Sequence, residues 1–138
     1  MVITRQITIE TRGNCDMRDI TAEVAGQVAE TEIENGTVTV FIAGSTAGVT
    51  TIEYEPGLVS DFTGMWERNA PRNLEYQHDL RWGDGNGYAD VRASLLGPSL
   101  IVPFQAKRLL LGTWQQIIVV DFDNRPRRRE IILQLMGD

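Results

Sequence analysis

The residues with most to offer chemically fall between His78 and Ser94. His78 is the only histidine, and Asp79, Asp84 and Asp90 follow it closely. One imidazole nitrogen with several carboxylate oxygens suits magnesium, manganese or calcium better than structural zinc, which takes several Cys or His ligands. His78, Asp84 and Asp90 are the expected ligands, with Glu53 a further carboxylate within the chain's supply. The spacing matches no recognised metal signature, and a lone histidine in a polar loop also serves as a hydrogen-bonding residue or proton shuttle. The surrounding run from Trp82, W-G-D-G-N-G-Y-A-D-V-R-A-S, holds three glycines that let backbone approach a ligand. Asp-Gly-Asn-Gly is equally ordinary turn chemistry.

A second candidate is an anion site. Arg92, the run Arg127-Arg128-Arg129, and Ser45-Thr46 between Gly44 and Gly48 offer phosphate donors. On a strand, Arg127 and Arg129 share a face and Arg128 takes the other, so only part of the run can converge on one ligand. The competing reading is a solvated edge with arginines paired to Glu130 and its neighbours. G-S-T-A-G lacks the Gly-Lys-Ser/Thr ending of a Walker loop. Nucleophilic catalysis has little support: Ser45, Ser94, Ser99 and Cys15 are available, but there is no G-x-S-x-G elbow and one histidine to act as base.

The bulk properties narrow the classes. Net charge is −6, which opposes general binding to a nucleic-acid backbone. Of 13 cations only Lys107 is lysine, a bias that suits an anionic ligand or subunit contacts and equally reflects genome composition. Cys15 is the single cysteine, so neither an internal disulfide nor a Cys-rich zinc site forms. No apolar stretch is long enough to span a bilayer, and no secretory signal opens the chain, so a cytoplasmic protein is expected. The length fits one domain, residues 1–138.

The elements that must position these residues follow from periodicity. V-I-T-R-Q-I-T-I alternates over residues 2–9 and predicts a strand. Asp19 is the expected N-cap of a helix to about residue 32, with Ile20, Val24 and Val28 on its apolar face. Asn35-Gly36 is a turn, followed by strands over T-V-T-V-F-I-A and V-T-T-I-E-Y-E. A second helix is predicted from Val59 to Arg68, with Leu58, Phe62, Met65 and Trp66 as core. Asn73 to Ala89 reads as loop, and V-R-A-S-L-L as a helical turn or the start of a strand. S-L-I-V-P-F and R-L-L-L-G-T-W form a hairpin across Gln105-Ala106-Lys107. Q-Q-I-I-V-V-D-F-D and R-R-R-E-I-I-L-Q-L-M are further strands. The expected fold is α+β: a mainly antiparallel sandwich or barrel-like sheet system with two helices.

Taken together, G-S-T-A-G-V-T-T-I-E-Y-E-P-G, Y-Q-H-D, D-G-N-G, V-R-A-S-L-L-G-P-S, L-L-L-G-T-W-Q-Q-I and D-F-D-N-R-P-R-R-R resemble the YjbQ family, also called secondary thiamine-phosphate synthase enzyme. The resemblance spans about residues 2–137. It implies an antiparallel α+β fold, a homotrimer with pockets near subunit boundaries, and a weak thiamine-phosphate synthase activity that joins a pyrimidine pyrophosphate to a thiazole phosphate. Position by position it matches Glu53, His78, Asp84, Asn86, Arg92, Ser94 and Gly112 to Gln115. The family pattern has an H-x-H pair where this chain has Tyr88 and Asp90, and relatives outside the subgroup carry histidine where Gly44 stands. The substitutions remove two nitrogens, shifting any metal preference from zinc toward magnesium or calcium.

The expected site therefore comprises Glu53, His78 and Asp90 for metal or proton chemistry. Ser45, Thr46, Asn86, Arg92, Ser94, Gln115, Arg127 and Arg128 would bind substrate. The alternative is a non-catalytic trimeric binding protein for a small phosphorylated or anionic ligand. A third reading assigns the glycine loop and arginines to trimer packing alone.

Overall fold

The uninterrupted apolar run Ile117–Val120 is the axis of the molecule. In a computed structural model covering residues 1–138, each of these four side chains is fully buried. They belong to β7 (Gln116–Asp121), the middle strand of a three-stranded antiparallel sheet with β2 (Asp16–Asp19) and β4 (Ala47–Ile52) on its flanks. A strand covered on both faces reads as a continuous apolar run rather than an alternation. One face, through Ile117 and Val119, joins the main core; the other, through Ile118 and Val120, joins a second cluster.

The main core lies between this sheet and a five-stranded antiparallel one. The latter comprises, in spatial order, β1 (Val2–Thr11), β8 (Arg127–Gly137), β3 (Gly36–Ala43), β5 (Ser99–Gln105) and β6 (Arg108–Leu109). Val38, Val40 and Ile42 of β3 and Ile131, Leu133 and Leu135 of β8 point inward at strand spacing. Helix α1 (Thr21–Glu30) completes this core with Val24 and Val28. The second cluster is covered by α2 (Pro56–Asn69) and α4 (Gly87–Leu96), through Trp66, Tyr88, Ala89 and Ala93. No helix is long and apolar enough to cross a membrane.

The α+β fold of two antiparallel sheets is as expected, but there are four helices rather than two. Residues Asn73 to Ala89 hold the short α3 (Gln77–Trp82) and the start of α4, and V-R-A-S-L-L is wholly helical. α4 escapes periodicity because its buried face carries Gly87, Tyr88 and Arg92 beside two alanines. The second helix begins at Pro56, where the Glu55 carboxylate accepts from the Gly57 and Leu58 amides. Asp19 is not the N-cap of α1: Ile20 holds that position, and the Asp19 carboxylate accepts from the Thr21 amide at 2.9 Å and hydroxyl at 2.6 Å. The β5–β6 hairpin turns through Ala106 and Lys107, both at positive φ, as a two-residue turn demands. Its second arm ends at Leu109, shorter than the sequence pattern suggests.

A cleft between an acidic wall and an arginine floor

Three connections meet at one end of the small sheet: the β3–β4 turn, the β7–β8 turn and the α3–α4 loop. They enclose a cleft of about 300 Å³ lined only by polar residues and one glycine, Gly44. Its floor comes from β8. The alternation of that strand sends Arg127 and Arg129 into the cleft and Arg128 outward, where it faces Glu130 at 3.7 Å.

Arg129 is 7% exposed and would be costly without a partner. Asp121 supplies one: its carboxylate accepts from Arg129 Nε at 2.7 Å and Nη2 at 3.0 Å. It also accepts from the Thr11 hydroxyl at 2.6 Å and the Asp123 amide at 3.0 Å. Thr46 takes a further bond from Arg129 Nη2 at 2.6 Å and donates to Asp123 at 2.9 Å. Arg127 Nε donates to the same Asp123 carboxylate at 2.9 Å. Burial pushes the Asp123 carboxyl up, yet the bonds from Thr46, Arg127 and Asn86 outweigh it and hold the group below its ordinary range.

The facing wall is built by α3 and α4. His78 Nδ1 lies 3.3 Å from Asp79 and 3.4 Å from Asp84, while Nε2 lies 3.3 Å from Asp90. Asp79 is fixed by the Gly87 amide at 2.8 Å, and Asp84 by the Asn86 amide at 3.1 Å. The hydrogen bond with Asp79, supported by the charges of Asp90 and Asp84, raises the His78 pKa against partial desolvation. Burial raises the Asp90 carboxyl pKa, despite the His78 charge and the Ser45 hydroxyl.

Potential ligand atoms of His78, Asp79 and Asp84 lie within 4.8 Å of one another. One nitrogen with carboxylate oxygens fits a hard divalent cation that keeps several waters. The structure places Asp79 in that compact set, whereas Asp90 stands at the other ring nitrogen. A single ion cannot use one nitrogen of His78 and reach all three neighbours equally.

The other expected residues divide sharply. Ser45, Thr46 and Asn86 line the cleft, the last also accepting from the Asn124 amide at 2.9 Å. Ser94 lies in an adjoining hollow, its hydroxyl bonded to the Asp90 carbonyl at 2.8 Å. Arg92 points into the second core instead, donating to the Ala70 carbonyl at 3.0 Å and to Glu67 at 2.8 Å. Gln115 sits in a separate groove beside Leu110 and Leu111, donating to Thr51 at 3.1 Å. Glu53 follows the far end of β4: the register pairs Ala47 with Asp121 and Ile52 with Gln116. Seven residues of extended chain put it roughly 20 Å from Thr46, so one chain does not bring Glu53 to His78.

Tyr88 and Asp90 are two positions apart on a helix, about 200° around its axis. Asp90 faces the cleft, and Tyr88 is 2% exposed in the second core, between the guanidiniums of Arg72 and Arg92. A histidine at 88 in this backbone would therefore join the core, and the paired-imidazole site inferred from the family pattern does not form here. Asp121 and Asp123 are not among the residues the sequence singles out, whereas Asp79 and Arg129 belong to its candidate metal and anion groups. Two aspartates flanking Phe122 at the end of a buried strand signal carboxylates that must find cations, and the arginine run supplies them.

Known proteins show the same arrangement of chain. A UPF0047 protein of Methanothermobacter thermautotrophicus is 35% identical over 136 residues, covering 99% of this chain and 93% of its own. A second, from Archaeoglobus fulgidus, is 34% identical over 131 residues, covering 95% and 99%. The crystal structure of a YbjQ-like protein of unknown function from Sulfolobus solfataricus P2 superposes with a TM-score of 0.94 at 30% identity, covering 100% of this chain and 99% of its own. The family model described as UPF0047 protein YjbQ-like matches residues 5–138, and the chain belongs to that family.

Proposed function

We propose that the cleft takes a phosphorylated small molecule together with a divalent cation, and that the protein is a thiamine-phosphate-synthase-like transferase with an altered site. The observation that carries this reading is the opposition, in one cleft, of the His78–Asp79–Asp84 wall and the Arg127–Arg129 floor. In the proposed reaction the thiazole nitrogen attacks the methylene carbon of the pyrimidine pyrophosphate. The new C–N bond replaces the C–O bond to diphosphate, which leaves with the electron pair. A divalent cation on the acidic wall would help neutralise that leaving group. The arginines do so from the floor, and His78 supplies a proton where the departing oxygen needs one.

Assembly as a cytoplasmic homotrimer is part of the proposal. Exposed Val91 and Leu95 on α4, with Ile101 on β5 and Leu110 just after β6, offer apolar surface for another copy to cover. The alternative is a trimeric binding protein without turnover. Its support is that Tyr88 contributes nothing to the cleft and Glu53 lies outside it, leaving few groups for proton transfer.

The test is product formation from pyrimidine pyrophosphate and thiazole phosphate with magnesium, run on the unaltered protein, His78→Ala and Glu53→Gln. Thiamine phosphate from the unaltered protein, lost in His78→Ala and retained in Glu53→Gln, is the expected result. Loss in Glu53→Gln would mean that this carboxylate reaches the cleft from another copy. Diphosphate binding without product in any protein would establish the binding reading.

A further inference from the structure

The floor of the cleft contains a buried donor that the chain itself does not use. Arg129 directs Nε and Nη2 to Asp121 and Thr46, but its Nη1 makes no hydrogen bond. The residue is 7% exposed, and a guanidinium so buried ordinarily spends all its N–H groups. Nη1 is not sealed off, since it lies under Gly44 on the lining of the cleft. A Cβ built on Gly44 would stand 2.6 Å from Nη1 and block it. Gly44 also has φ +149°, a backbone conformation that a side chain disfavours. The chain thus keeps an opening over the one free face of a rigidly held cation.

We infer that Arg129 Nη1, exposed beneath Gly44, is the oxyanion donor that holds a terminal phosphate of the ligand. This rests on the reading that the cleft takes a phosphorylated molecule. It adds where the phosphate sits and which arginine holds it. Arg127 is the more accessible of the two floor arginines and also has Nη1 and Nη2 free, but only its Nε is held, by Asp123, and its side chain is half-buried rather than locked. Arg129 is braced by two hydrogen bonds to Asp121, so ordering it on binding costs no further side-chain entropy. Its charge is already balanced by Asp121, which leaves a directional hydrogen-bond donor rather than a bare cation. A phosphate at Gly44 faces Asp90 and Asp84 across the cleft, so a divalent cation must accompany it. The preferred ligand class is accordingly a metal-chelated diphosphate or phosphate monoester, not a free carboxylate.

The experiment is titration of the intact protein with pyrophosphate and magnesium, followed by calorimetry and by the ¹⁵N signals of the arginine guanidinium groups. The expected result is saturable binding, a shift and slowed solvent exchange at Arg129, and no response at Arg128. Gly44→Ala should weaken binding about tenfold, the loss of one charge-assisted hydrogen bond, while Arg128→Gln should not change it. If Gly44→Ala does not fold, the guanidinium signals of the unaltered protein decide alone. Binding with an unmoved Arg129 signal overturns this inference and leaves the phosphorylated-ligand reading standing. Absence of binding by the unaltered protein overturns both.

Discussion

Replacing Asp121 by asparagine tests the buried network that shapes the cleft. The change is nearly isosteric, so its cost is electrostatic. Asp121 is fully buried and receives four donors: Arg129 Nη2 and the Asp123 amide on Oδ1, Arg129 Nε and the Thr11 hydroxyl on Oδ2. An amide has one acceptor oxygen, so whichever way it turns, one pair of donors meets an NH₂ group. The best orientation keeps the Oδ1 pair; Thr11 then rotates to accept from the amide, but Arg129 Nε is left facing another donor. The remaining carboxylate near this guanidinium is Asp123, 3.9 Å from Nη2. Breaking such a pair from one side costs about 3–5 kcal/mol. With an unfolding entropy of about 2.1 cal/mol/K per residue, each kcal/mol lowers Tm by about 3–4 °C here, so a fall of roughly 10–17 °C is expected. Thermal unfolding followed by tryptophan fluorescence measures the fall in Tm, and urea unfolding the free-energy cost. The double variant Asp121→Asn/Arg129→Met should recover more than half of the loss, because no buried charge remains unpaired. A single-variant cost below about 1 kcal/mol, or a double variant no better than the single, would refute the reasoning.

Two other outcomes follow from groups the network leaves in tension. The Tyr88 hydroxyl is buried without a partner, so Tyr88→Phe should raise stability by about 1 kcal/mol in urea unfolding while the ring stays between Arg72 and Arg92; a comparable loss would show that the hydroxyl is bonded, for instance to a buried water. The Asp123 carboxyl is held below its ordinary value of 3.8, so its contribution to stability is full above that pH and disappears as pH falls through the lowered value. Tm measured between pH 5 and pH 2 (an interval spanning the usual carboxylate range) should therefore drop less steeply in Asp123→Asn than in the unaltered protein, and parallel curves would contradict the assignment.

Most strands were legible because burial on one face leaves a period of two, as in β3 and β8, and burial on both leaves an apolar run, as in β7; the four-residue β2 (Asp16–Asp19), with one buried residue, was not. The opposed directions of Arg127 and Arg128 followed from the same period, and the clustering of His78 with Asp84 and Asp90 from short separation along the chain. Helix α4 was not legible, since its buried side is made of glycine, tyrosine, alanine and arginine, and its neighbours rather than its hydropathy hold it in place. Arg92 and Gln115 looked like ligand-binding groups, yet their partners, Glu67 and Thr51, lie far away in sequence. Asp121 and Arg129 belong to different strands, and only the turn between those strands brings them face to face. Residue type and local spacing determined what chemistry this chain could carry. Which of those residues share a cleft was decided by contacts between distant segments, because a buried charge takes whatever partner the fold sets beside it.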